Sequence, residues 1–105
     1  MFKLKETISN AVYFVEVYES SHYVVQVVRN MLLENWISFE VNKKLDNRYL
    51  PKIYVVENDE NEYDISIQTT SYGEMEYEHY KDYINAQNKA LEVLPAIEKL
   101  VKEKL

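Results

Sequence analysis

Carboxylates are the most concentrated chemistry-bearing groups in this sequence. Between Glu57 and Tyr83, nine of them meet a single lysine, a formal charge of −8 in a chain whose total is −6. Clustered acids can act as general acid and base, ligate a hard cation, or present an anionic surface to a cationic partner. Acid–base work requires burial that pulls two carboxyl pKa values apart, and acids strung along a polar loop lack it. Calcium ligation requires a spacing that is not met. Aligned on the EF-hand from Asp59, Asn61 suits the third position, but Tyr63 occupies the fifth, Asp64 replaces the sixth-position glycine and Thr70 the closing glutamate. The anionic surface is the use that the spacing allows.

Other reactive groupings are sparse. His22 and His79 stand far apart and in no ligand spacing, and the absence of cysteine removes thiolate zinc sites, disulfides and cysteine nucleophiles. Ser20-Ser21-His22 lacks the context of a serine nucleophile and reads as a capping sequence. The one glycine, Gly73, cannot build a phosphate-cradling loop. No catalytic, metal or cofactor site is therefore expected. Lys43, Lys44, Arg48 and Lys52 are the one basic cluster, read as a solvated connection; against the negative overall field, direct binding to nucleic acid is not expected either. The longest apolar run, Ala11 to Tyr18, is broken by Glu16, so neither a leader nor a membrane span is expected, and a cysteine-free chain suits the reducing cytoplasm.

The elements that must carry the acids can be read from periodicity. Ile37, Phe39 and Val41 alternate with polar residues, Ile53 to Val56 is a β-rich run, and Tyr63, Ile65 and Ile67 alternate with Glu62, Asp64, Ser66 and Gln68. Ser71-Tyr72-Gly73-Glu74 matches a capping box that would open a C-terminal helix. Tyr80, Tyr83, Ile84, Ala90, Leu91, Leu94, Ile97 and Val101 form its apolar stripe, with a kink or restart expected at Pro95. In the N-terminal third, Val12, Tyr13, Phe14, Val15, Val17 and Tyr18 favour a strand, although Leu4, Ile8, Ala11, Val12 and Val15 also fit a helical face; Val24, Val27, Val28, Met31 and Leu32 fit the buried side of a helix capped by Ser20 or Ser21. The expectation is one small α+β domain over residues 1–105, in the order β-α-β-β-β-α, with an antiparallel sheet packed on one face by helices. At 105 residues such a domain buries roughly 60–68% of its unfolded surface and needs no staples.

On these elements Glu74, Glu78 and Asp82 would line one helical face at intervals of about 6 Å, and Glu62 and Asp64 one strand face at about 7 Å. Asp59 and Glu60 fall in the connecting turn. Tyr72 and Tyr77 are placed to act as exposed anchors, tyrosine being favoured at interface hot spots. These nine residues, Asp59, Glu60, Glu62, Asp64, Tyr72, Glu74, Tyr77, Glu78 and Asp82, are the candidate surface for a basic protein partner, most concretely a nucleic-acid enzyme whose groove the carboxylates would occupy as a DNA mimic. In size, charge and lack of cysteine the chain resembles small acidic inhibitors of phages and mobile elements, including anti-CRISPR and anti-restriction proteins. A generic accessory or interaction domain, a toxin-neutralising immunity protein, and an oligomeric component pairing through the C-terminal helix are the alternatives.

Overall fold

Alternating β-branched residues dominate the first two thirds of the chain, and strands follow from them. The computed structural model describes residues 1–33, 36–45, 49–68 and 79–105. Its elements are β1 (Lys3–Ser9), β2 (Tyr13–Glu19), β3 (Tyr23–Asn30), β4 (Ile37–Lys43), β5 (Lys52–Glu57), β6 (Tyr63–Gln68) and α1 (Tyr80–Lys104). The first four form an antiparallel meander in chain order, β5 and β6 form a separate hairpin, and β5 lies beside β4. The α+β class is as expected.

The helix expected after Ser20 is instead β3. Its valines occur as two doublets around Gln26, which satisfy a helical spacing and a strand alternation equally. Strand partners on both sides decide the matter, with Val25 opposite both Tyr18 and Val41, and Val27 opposite both Glu16 and Phe39. As the central strand, β3 holds the most deeply buried side chains, Tyr23, Val25 and Val27, all fully enclosed. Ser20 still caps, but it caps a turn: its Oγ accepts the Tyr23 amide at 3.1 Å.

With one glycine in the chain, turns are built by side chains. Asn10 Oδ1 accepts the amides of Val12 and Tyr13, both at 2.8 Å, and Asn30 Oδ1 accepts those of Leu32 and Leu33 at 2.9 and 3.2 Å. These bonds supply locally what a glycine turn supplies through backbone freedom.

α1 covers one face of the assembly. Ala86, Val93, Ile97, Leu100 and Val101 join Tyr23, Val25, Val27, Phe39, Val41 and Ile53 in one core, with Tyr63 and Ile65 packed against it. The buried helical face is displaced from the expected stripe, since Tyr80 and Leu91 are exposed whereas Ala86, Val93 and Leu100 are buried. The helix also runs unbroken through Pro95. Proline there leaves the Leu91 carbonyl without its helical donor, but both residues lie on the exposed side, where water can take its place. The expected capping box, Ser71 to Glu74, lies outside the described residues.

Candidate functional site

Strand directions sort the connections into two ends. The β1–β2 and β3–β4 turns, the β5–β6 tip and the last turn of α1 share one end. There Arg29, Ile37, Glu57, Asn61, Tyr63 and Lys104 line a common groove of about 510 Å³. At the opposite end the start of α1 meets the connection into β5, with Asp82, Asn85 and Lys89 facing His22, Leu45 and Tyr49.

The β5–β6 tip gathers four of the nine candidate residues, Asp59, Glu60, Glu62 and Asp64, together with Glu57. All five are exposed, and among the described residues no cation lies within ion-pair distance of them. Asn58 fixes the tip: its Oδ1 accepts the amides of Glu60 at 3.0 Å and Glu62 at 3.1 Å, and its amide donates to the Glu62 carbonyl at 2.8 Å. Asn61 takes the left-handed conformation that closes the turn, φ 60°, which asparagine tolerates well. Tyr63 anchors the tip from below. It packs edge-on against Phe39 at 5.0 Å between ring centroids and donates its hydroxyl to the Ile37 carbonyl. Burial first, and the Glu57 charge second, push its phenol pKa upward.

Asp82 does not join this cluster. It is exposed in the first turn of α1, and the helix runs towards the tip, so its last turn faces Glu62 and Asp64 while Asp82 sits about 30 Å away along the axis. A continuous acidic surface would have needed the helix start at the tip. Tyr72, Glu74, Tyr77 and Glu78 lie outside the described residues.

Beneath the tip, the cations are already engaged. Lys104 Nζ donates to Glu16 Oε2 at 3.1 Å, the Tyr18 hydroxyl donates to the same oxygen at 2.9 Å, and Arg29 donates to the Lys104 carbonyl at 2.6 Å. The neighbouring Tyr18 hydroxyl first, and Glu16 with it, raise the Lys104 pKa against the opposing effect of burial. This arrangement fastens the helix end to β2 and β3.

Sequence reasoning missed a second surface at the same end. On the sheet face turned away from α1, Ile8, Val15 and Val28 are register neighbours across β1, β2 and β3. They lead to Tyr13, whose ring meets Trp36 at 6.5 Å, and to the β3–β4 turn. In that turn Met31, Leu32 and Leu33 are 62, 72 and 57% exposed. The signal was present in the sequence as three consecutive apolar residues after Asn30, a run that no single face of a strand or helix can bury.

Chemically, the end offers fixed carboxylates and exposed apolar surface. Among the described residues, no group of three or more His, Cys, Asp or Glu side chains is placed to hold a metal ion. Among the described residues, no helix is long and apolar enough to cross a membrane. In comparison with known proteins, the chain matches no family model, no curated protein and no solved structure.

Proposed function

We propose that this protein is a binding module without catalytic activity, whose β5–β6 tip engages a basic protein partner. The observation that carries the reading is the tip itself: five exposed carboxylates within eight residues, on a backbone fixed by Asn58, with no cation within ion-pair distance among the described residues. Local physics does not require this arrangement. Capping a helix N-terminus favours acids, and the tip is not one. Asn58 and the left-handed Asn61 close the turn, and repulsion among five like charges works against it. A preorganised anionic tip instead suits a partner that brings its own cations, since complementary charge raises association rates and selects against wrong partners.

The most concrete form of this function is an inhibitor acting on a nucleic-acid enzyme; an accessory or immunity role is the other form. Affinity capture from host lysate treated with nuclease separates them. Wild-type protein is expected to retain a basic partner that elutes between low and high salt, and D59K/E60K/E62K is expected to lose it while keeping its circular dichroism and melting temperature. Release of the partner by duplex DNA identifies the inhibitor form. Equal capture by the charge-reversed protein overturns the proposal.

A further inference from the structure

The apolar surface beside the tip has a border of one sign. On the open sheet face, the register row next to Ile8, Val15 and Val28 runs Glu6, Val17, Gln26, Glu40, so an acid stands at each end of it. In the separate β5–β6 hairpin, at the same end of the molecule, Asp64 is paired with Val56, which is itself 58% exposed, and the tip acids lie beside it. Of the basic groups at that end, Arg29 and Lys104 lie on the helix-covered face in the contacts already described, and Lys102, in the last turn of α1, lines a pocket with Glu62 and Asp64. On the open face, Lys3 and Lys5 are placed at the far end, where Lys5 pairs with Glu19 at 3.6 Å. Large contiguous apolar surface mixed with tyrosine and tryptophan marks an interaction site, and the aromatic pair gives it rigid anchors.

We infer that this face, centred on Tyr13, Trp36 and the Met31–Leu33 turn, rimmed by Glu6 and Glu40 and sharing its end of the molecule with the tip acids, docks a cationic amphipathic helix of another protein. This inference rests on the proposed binding role of the acidic tip and names the chemistry of the partner. A helix presenting leucine-like residues on one side and lysine or arginine on its flanks satisfies both surfaces at once, the mode by which amphipathic helices enter apolar grooves. The rim selects among occupants. A second copy of this chain would set acid rim against acid rim, and an anionic bilayer would be repelled by the same groups.

The test uses a synthetic 18-residue peptide with leucine at helical spacing and lysine elsewhere, and a second peptide of the same composition with the spacing scrambled. Fluorescence anisotropy with the full chain is expected to show at least tenfold tighter binding of the amphipathic peptide. M31S/L32S/L33S, whose three side chains are exposed and so leave the core intact, is expected to erase that preference; D59K/E60K/E62K is expected to weaken both peptides together. Equal binding of the two peptides, or a preference that survives in the triple-serine variant, overturns the inference. Unchanged peptide binding by the charge-reversed tip, with loss in the triple-serine variant, overturns the basic-partner reading instead and leaves a purely apolar site. Sedimentation equilibrium and flotation with phosphatidylserine vesicles complete the set: a dimer, or vesicle binding, that M31S/L32S/L33S abolishes assigns the face to a second copy or to a bilayer, and either result excludes the helix.

Discussion

Two turns at one end of this molecule use the same device to opposite chemical effect. In the β3–β4 turn, Asn30 Oδ1 accepts two amides and the residues it holds are Met31, Leu32 and Leu33; in the β5–β6 tip, Asn58 Oδ1 accepts two amides and the residues it holds include Asp59, Glu60 and Glu62. Because an asparagine side chain fixes the backbone in each case, the intervening side chains carry no structural duty. Their chemistry is set by what they face, and one turn faces outward with grease while the other faces outward with charge. A turn that concentrates exposed apolar residues, as Met31 to Leu33 do, or acids, as Asp59, Glu60 and Glu62 do, is a place to look for a partner.

The comparison depends first on the frame that keeps the two turns side by side. That frame includes the Lys104–Glu16–Tyr18 contact, in which the Lys104 and Glu16 side chains are only 22 and 14% exposed. Lys104→Met removes the cation and leaves a mostly buried carboxylate with the Tyr18 hydroxyl alone. The expected cost is about 2–3 kcal/mol, below the full penalty of breaking a wholly buried pair because water still reaches both groups. Urea denaturation measures it, and amide exchange should show the last turn of α1 loosening before the sheet. A loss under 0.5 kcal/mol would mean that the helix end is held by apolar packing alone.

Next in size are the two anchors. Asn30→Ala and Asn58→Ala each remove one acceptor serving two amides, at about 1–2 kcal/mol per variant. The two costs should agree within about 0.5 kcal/mol if the device is truly the same in both turns. A much smaller cost for Asn58→Ala would show that repulsion among the tip acids already strains that turn, so that releasing it recovers part of the loss.

How far this arrangement could be read from sequence differs between the two turns. The tip was legible: the alternation of Tyr63, Ile65 and Ile67 placed β6, the polar run before it placed the turn, and the density of carboxylates marked it. Asp82 was legible as helical and acidic but not as distant, because sequence does not say which end of a helix returns to a hairpin. The apolar turn was misread. Val24, Val27, Val28, Met31 and Leu32 satisfy a helical spacing, and the paired valines conceal the strand period beneath it. A longer-range signal is present: Asn10, Ser20 and Asn30 recur every ten residues, each able to close a turn with its own side chain, which is the spacing of a meander in a chain with a single glycine, Gly73, outside this stretch. That ten-residue period leaves Met31 to Leu33 outside any strand.

The smallest expected effect on stability is the sharpest check of the comparison. Neutralising the tip with D59N/E60Q/E62Q, or making the apolar turn polar with M31S/L32S/L33S, changes only side chains that the fold leaves in water, so each set should shift the folding free energy by under about 0.5 kcal/mol per substitution. Their solution behaviour should separate. At low ionic strength the neutralised tip loses three of the charges that keep molecules apart while the apolar turn remains, so self-association should rise, and added salt should have less effect than on wild type because there is less repulsion left to screen. The triple-serine protein should stay monomeric at every salt concentration. Light scattering across a salt series measures both. If the neutralised tip leaves association unchanged, the acids do not guard the apolar surface, and the two turns, though neighbours, act independently.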